Sequence, residues 1–151
     1  MRKQQEGFSL IELLIVVAII LIIAAIAIPN LLRSKIAANE ASAVGTIRTV
    51  NTAAVMYSTT YGNYPPALTD LGPSTSPTST AADLVDTPVA SGVKSGYKFS
   101  YTAGSTYLTY SLTASPSTQN VTGQRYFYSD QSGVIRYNLT TTASSTDNPL
   151  N

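Results

Sequence analysis

The side chains that could do chemistry in this sequence are carboxylates, because its 151 residues include no histidine and no cysteine. That composition excludes Ser–His–Asp and Cys–His catalysis, zinc and iron–sulfur ligation, and disulfide bonds. Predicted loops contain five scattered aspartates, which are Asp70, Asp83, Asp86, Asp130 and Asp147. None of them lies beside a nucleophile that it could activate. We interpret them as solvated surface acids and predict that the protein is not an enzyme.

Asp130 is a weak candidate for a metal ligand, because it lies in the predicted hairpin turn Ser129–Gly133. Together with Asp83 or Asp86 it could hold calcium, which takes six to eight oxygen ligands. Few acids lie in this part of the chain, so we expect the Asp130 side chain to stabilise the turn instead. The sequence predicts no other cofactor.

The overall charge argues against a nucleic-acid-binding protein. Nine basic residues stand against eight acidic residues, which gives a net charge of +1. A general nucleic-acid binder needs a basic surplus or a basic stripe. No specific nucleic-acid site is therefore predicted.

One carboxylate differs from the others because it lies near the start of a long apolar segment. Phe8–Ile28 is 21 residues long, and Leu13–Ile28 is apolar without a break. A helix of that length spans about 30 Å, the thickness of a bilayer core, so the segment predicts a transmembrane helix. Arg2 and Lys3 precede it, which predicts a cytoplasmic N-terminus. Glu12 is then costly, because a carboxylate at the centre of a membrane costs about 2.5–3.5 kcal/mol, and less near the end of the span.

This acid indicates that the segment is more than a signal peptide or a plain anchor. The apolar run exceeds that of an ordinary signal peptide, and its one candidate cleavage site, Ala24–Ala27, lies inside the run. If the chain were cut after Gly7, Phe8 would carry a new amino group four residues before Glu12. That positive charge, on the same or a neighbouring chain, is a natural partner for the acid. The alternative is a carboxylate that reaches the membrane interface.

The stretch Gly7–Glu12, followed by an apolar run, resembles the signal of type IV pilins and type II secretion pseudopilins. The resemblance is close over residues 3–29 and looser along the helix up to Tyr61. In this family a prepilin peptidase cuts after the glycine and N-methylates the new terminal phenylalanine. The resemblance therefore implies cleavage between Gly7 and Phe8 and methylation of Phe8.

The resemblance also implies how the subunit assembles. The family's assembly residue is the acid at the fifth mature position, which Glu12 occupies, and the family's helix-interrupting proline matches Pro29. The implied partners are other copies of this chain, the prepilin peptidase, the inner-membrane assembly platform, and the membrane before assembly. The implied location is the bacterial inner membrane, then an extracellular pilus or a periplasmic pseudopilus. Because the chain lacks the disulfide of many major pilins, its terminal loop must be held otherwise.

Three functions follow, in order of preference. The first is a structural subunit of a type IV pilus, which serves adhesion, motility or DNA uptake. The second is a pseudopilin of a type II secretion system; related pseudopilins carry calcium in a C-terminal loop, which keeps calcium possible here. The third is a monomeric membrane-anchored binding module, which would have no use for Glu12.

The expected fold is α+β, with one long N-terminal helix packed on a four-stranded antiparallel sheet. Pro29 predicts a kink or local melting of the helix. Beyond it an apolar stripe, from Leu32 to Tyr61, predicts an amphipathic helix whose other face carries Asn39, Glu40 and Asn51. The predicted segments are a leader at 1–7, a transmembrane and assembly helix at 8–29, an amphipathic helix at 30–61, a loop region at 62–96, a sheet at 97–139 and a polar tail at 140–151.

The C-terminal half alternates polar and apolar residues with the period of strands. We predict strands at 97–101, 107–112, 125–129 and 134–139, the last two joined as an antiparallel hairpin. Thr80–Asp83 reads as a capping box, which predicts a short helix at 81–90 that Pro88 bends or breaks. The polar tail is expected to fray.

Overall fold

The computed structural model describes residues 8–150. Its internal contacts divide the chain into two units, Met1–Ser34 and Lys35–Asn151. The helix α1, Leu10–Tyr61, runs through this boundary and has 52 residues.

In the first unit, α1 continues across Pro29 without an interruption. The local melting predicted at Pro29 is therefore wrong, whereas a bend there stays a prediction. Proline removes one backbone donor, the one that would bond the Ala25 carbonyl, but it leaves the carbonyls and the neighbouring donors of that turn in place. A single missing bond in so long a helix does not end it.

In the second unit, the remainder of α1 buries one face. Most of the predicted stripe is confirmed, since Ile36, Ala43, Ile47, Val50, Ala54 and Tyr57 are buried. Tyr61, at the end of that stripe, is exposed, and so is Leu32, at its start, which belongs to the first unit. The prediction for the polar face is wrong at Glu40, which is buried.

The segment that follows α1 contains two short helical turns. A 3₁₀ turn spans Leu68–Leu71, and the helix α2 spans Thr87–Ala90. The longer helix predicted at 81–90 is wrong, because Asp86 caps α2 by accepting a hydrogen bond from Val89 N at 3.2 Å. Pro88 lies in the first turn, where its missing donor costs nothing, so it helps to start the helix and does not break it.

The sheet has six strands in sequence order, and every neighbouring pair is antiparallel. Their bounds are β1 Val93–Lys94, β2 Tyr97–Ala103, β3 Tyr110–Pro116, β4 Tyr126–Asp130, β5 Arg136–Asn138 and β6 Asn148–Pro149. The predicted α+β class and the β4–β5 hairpin are confirmed, but the predicted number of four strands is wrong. Two-residue strands such as β1 and β6 are too short to show a period in the sequence.

The inner face of the sheet forms the core with α1. Tyr97, Phe99, Leu112, Ala114 and Phe127 are buried and belong to the same apolar cluster as the stripe on α1. Strand β3 begins three residues later than predicted, because Tyr107 and Leu108 lie in the loop that precedes it.

The tail at 140–151 does not fray over its described part. Its strand β6 pairs with β5, and Leu150 N donates to the Ile135 carbonyl at 2.7 Å. Ala143 is buried at 3% exposure. The prediction of a frayed tail is wrong because backbone hydrogen bonds hold this segment, and a polar composition gives no sign of them.

Candidate assembly site

The described part of the first unit exposes a continuous series of large apolar side chains. From Phe8 to Leu32 the large apolar side chains are between 42% and 83% exposed. The helix is long and apolar enough in this part to cross a membrane. A helix that is apolar on every side is stable only in lipid or in contact with other protein surfaces, so this surface requires a partner.

Glu12 lies in the first turn of α1 and already has one partner. Ser9 precedes the first helical residue, and its backbone N–H donates to Glu12 Oε2 at 2.9 Å. This is one half of a capping box, in which the third helical residue satisfies a backbone donor that the helix leaves free. The sequence signal for this contact is the pair Ser9 and Glu12, three residues apart.

The cleavage site falls at the limit of the structure. Gly7 and the rest of the leader at 1–7 lie outside the described residues, and Phe8 is 83% exposed. Cleavage between Gly7 and Phe8, methylation of Phe8, and pairing of its amine with Glu12 stay predictions.

A second carboxylate, Glu40, connects α1 to the loop between β3 and β4. Its Oε1 accepts hydrogen bonds from Gln124 N at 2.8 Å and Arg125 N at 3.1 Å, and its Oε2 accepts one from Arg125 Nε at 2.8 Å. Glu40 is 6% exposed, and its carboxylate is paired in charge and satisfied in hydrogen bonds. Asn39 extends the contact, since its Nδ2 donates to the Thr122 carbonyl at 2.8 Å.

A third polar residue of α1 contacts the sheet. Asn51 donates from Nδ2 to Ser129 Oγ at 2.8 Å and accepts at Oδ1 from the Tyr110 hydroxyl at 3.0 Å. Burial raises the pKa of Tyr110, so this hydroxyl stays protonated and keeps donating. Helical periodicity could not identify these contacts, because it separates polar from apolar residues and takes polar ones to be solvated.

Asp130 stabilises its turn, as predicted. Its Oδ1 accepts from Ser132 N at 2.9 Å, and its carbonyl accepts from Gly133 N at 2.9 Å. Asp83 and Asp86 bind other groups, respectively Ser74 N at 3.3 Å and Lys94 Nζ at 2.9 Å. Across residues 8–150, no three acids lie together in a way that would hold a metal ion. Calcium, which takes six to eight oxygen ligands, stays a weak prediction at Asp130.

Asp147 holds the C-terminal loop. Its carboxylate accepts hydrogen bonds from Ser144 N at 2.7 Å, Asn138 Nδ2 at 2.9 Å and Ser144 Oγ at 3.0 Å. These hydrogen bonds, the one from the Ser144 backbone foremost, hold the pKa of Asp147 below its usual range. Arg136 adds a hydrogen bond from Nη1 to the Asp147 carbonyl at 2.9 Å. The loop is thus closed by hydrogen bonds in a chain that has no cysteine.

The fold and the N-terminal site together define a class of protein. An exposed apolar helix with one carboxylate in its first turn, continued by a helix packed on an antiparallel sheet, is the pilin-like arrangement. This arrangement is similar to that of type IV pilins and type II secretion pseudopilins, the resemblance that the sequence predicted.

The comparisons with known proteins support this relationship at the N-terminus. The family model of the prokaryotic N-terminal methylation motif matches residues 2–28. The chain is 58% identical over 38 residues to the type IV wide pilus major component PilA4 of Thermus thermophilus. This matched segment is 25% of this chain and 29% of that protein. No solved structure gives a significant match.

Two further relatives match over longer segments. Identity to the type II secretion system core protein G of Aeromonas hydrophila is 34% over 64 residues, or 42% of this chain and 45% of that protein. Identity to the protein of the same name from Dickeya chrysanthemi is 32% over 72 residues. That segment is 48% of this chain and 47% of that protein. The chain thus spans less than half the length of each of these curated relatives.

Proposed function

We propose that this protein is a structural subunit that polymerises into a type IV pilus after its leader is removed. The observation that carries the proposal is the exposed apolar helix from Phe8 to Leu32, with Glu12 in its first turn. Such a surface has two stable environments, a bilayer and a bundle of like helices. A subunit that moves from the first to the second forms a filament.

Charge specifies how neighbouring helices align. Moving apolar side chains from lipid to protein gains little hydrophobic free energy, so packing and polar pairing must direct association. Cleavage after Gly7 creates a positive amine at Phe8, and Glu12 supplies the matching negative charge. Ser9 N donates to Glu12 Oε2, and no described residue donates to Oε1, which can accept from the amine of a neighbouring subunit. An unpaired Glu12 in a water-poor core is penalised, which rejects subunits in the wrong register.

The same proposal assigns partners and a location. The prepilin peptidase removes residues 1–7 and N-methylates Phe8, and an inner-membrane assembly platform extracts the subunit. Before assembly the helix spans the inner membrane with Arg2 and Lys3 in the cytoplasm. The leader contains two of the nine basic residues and one of the eight acidic ones, so the mature chain has seven of each and is neutral. The protein acts through assembly and not as an enzyme, like the structural subunits to which it is related.

Mass spectrometry of filaments sheared from the cell surface tests this function. We expect this chain to be abundant there and to begin at N-methylated Phe8. Recovery only of the intact Met1 form, or of a chain cut after Ala27, would overturn the proposal. A mature chain restricted to the cell envelope would favour the second function below.

The second function is a pseudopilin subunit of a type II secretion system. It is favoured by the two core protein G relatives, whose matches extend over 64 and 72 residues. Deletion of the gene separates the two functions, because loss of a pseudopilin abolishes secretion of exoproteins and leaves surface filaments intact. Loss of a pilin has the opposite effect.

A further inference from the structure

A cleft lined by tyrosines lies in the second unit, between the C-terminal end of α1 and the loop that joins β2 to β3. Its volume is about 210 Å³. Four of the ten tyrosines of the chain line it: Tyr57, Tyr61, Tyr64 and Tyr107. None of the functions proposed for the apolar helix uses this cleft.

The backbone holds two of these tyrosines at a fixed separation. Tyr107 has a φ of 56°, in the left-handed region that a bulky side chain rarely adopts. Its N–H donates to the Gly104 carbonyl at 2.9 Å, and its carbonyl accepts from Tyr64 N at 2.8 Å. Strain of this kind costs about 1–3 kcal/mol and persists where surrounding contacts impose it. Here the strained backbone fixes the Tyr107 ring, 43% exposed, at the rim of the cleft.

The lining carries hydrogen-bonding groups but no charge. No Asp, Glu, Lys or Arg side chain is among the lining residues. Within the described chain, the hydroxyls of Tyr61, Tyr64 and Tyr107 and the side-chain amide of Asn63 have no hydrogen-bond partner, whereas the Tyr57 hydroxyl donates to the Ser79 carbonyl at 2.7 Å. The cleft therefore combines aromatic rings, of which Tyr57 and Tyr61 pack on each other at 4.6 Å, with free hydroxyl and amide groups.

This chemistry selects the ligand. A cation would meet aromatic rings but no carboxylate, and a cation or a purely apolar ligand would leave the hydroxyls and the amide unpaired. A pyranose ring has C–H faces that pack on aromatic rings and hydroxyls around its edge that pair with polar groups. The volume suits one ring, since clefts for larger ligands begin at about 300 Å³. We propose that this cleft binds one pyranose ring of a neutral glycan.

The test is saturation-transfer NMR on the full-length chain in a polyoxyethylene detergent, which has no sugar headgroup. The probes are methyl β-D-galactopyranoside, methyl α-D-glucopyranoside and N-acetyl-D-glucosamine. We expect saturable binding of at least one probe, weakened at least tenfold by both Tyr61→Ala and Tyr107→Ala. Leu108→Ala is the matched control, because Leu108 is exposed and adjoins Tyr107 but does not line the cleft. That variant should bind like the unchanged protein.

Each other result overturns the proposal. One is the absence of saturable binding with all three sugars, and another is sugar binding that survives both tyrosine substitutions in variants with unchanged circular dichroism. Competition by choline but not by free sugar would make the cleft a cation site, and binding of a proline-rich peptide alone would make it a peptide site. The assay uses unassembled protein, so its outcome is independent of whether the chain forms filaments.

Discussion

The Arg125 guanidinium donates to the Glu40 carboxylate at 2.8 Å and joins residues that are 85 positions apart in the chain. Glu40 lies on α1, and Arg125 closes the loop that leads into β4. The same guanidinium lies 5.5 Å from the Phe127 ring centroid and 5.7 Å from that of Tyr137. One ion pair thus connects the helix to a cation–π arrangement on the sheet.

Substitution of Glu40 should therefore destabilise the second unit. Glu40→Ala removes the acceptor of three hydrogen bonds and the partner of Arg125, and we expect a loss of about 2–4 kcal/mol in the free energy of unfolding. Glu40→Gln keeps an acceptor for the backbone amides and should lose less. Chemical denaturation of the detergent-solubilised chain measures both. An Ala variant as stable as the unchanged protein would contradict the role assigned to Glu40.

Alanine substitutions at two glycines, Gly123 and Gly45, test how tightly the chain is packed around each of them. A Cβ added at Gly123 would collide with the Tyr97 hydroxyl, and Tyr97 is fully buried. Gly123→Ala should cost about 1–3 kcal/mol, as overpacked cores do. A Cβ at Gly45 meets no atom within 4 Å, so Gly45→Ala should stabilise α1 by up to about 1 kcal/mol. Thermal unfolding of the two variants should show shifts of opposite sign, and equal shifts would refute the packing assignment.

Filament assembly should depend on the charge of Glu12. We expect Glu12→Val to be cleaved and methylated normally but to form no filaments, because it cannot pair with the amine of Phe8. Glu12→Gln separates two roles, since it can still accept the hydrogen bond from Ser9 N but carries no charge. Electron microscopy and mass spectrometry of both variants provide the readout. Filaments of normal length from Glu12→Val would exclude the proposed pairing.

The cleavage assignment has its own test. Gly7→Glu places a bulky charged residue at the bond to be cut, and the precursor should accumulate uncut in the membrane. Immunoblotting against the C-terminal part reports the mass difference of seven residues. Substitution of the preceding Glu6 by Gln is a control that should mature normally. Normal maturation of Gly7→Glu would move the cleavage site elsewhere.

The C-terminal loop should loosen in acid. The folded-state pKa of Asp147 is lowered, so its ionised form contributes stability that is present above the unfolded-state pKa, near 4. That contribution is lost as the pH falls through the lower folded-state pKa. The protection factor of the Ser144 amide, which removes the pH dependence of intrinsic exchange, should therefore fall below about pH 4, and Asp147→Asn should show the lower protection already at neutral pH. Unchanged protection at Ser144 in that variant would show that Asp147 does not hold the loop.

Some features of this fold could be predicted from the sequence because they repeat. The apolar helix and four of the strands have a period, and Gly7–Glu12 has a distinctive spacing. Contacts between distant residues have no such signature, as the pairing of Glu40 with Arg125 shows. Glu40 occupies a position that helical periodicity assigns to solvent, and it is buried because a loop 84 positions later supplies two backbone donors.

The candidate assembly site and the tyrosine cleft also have features that the sequence predicts and features that depend on contacts between distant residues. Glu12 stood out because a lone acid in an apolar run is rare, whereas its bond to Ser9 N depends on where the helix begins. The tyrosine cleft was not predicted, since it forms only when the end of α1 and the β2–β3 loop come together. Its clearest local feature, the left-handed Tyr107, has no sequence signal because tyrosine is seldom found in that conformation.

The two outer strands of the sheet, β1 and β6, contain only two residues each. Lys94 lies on one of these edges and Pro149, which has no N–H to donate, on the other. Short edge strands that carry a lysine or a proline disfavour the pairing of a second sheet by backbone hydrogen bonds. Crowding of many identical copies would otherwise promote amyloid-like stacking. If the protein polymerises as proposed, these two strands offer neighbouring copies little backbone to pair with, and the helix remains the proposed route of association.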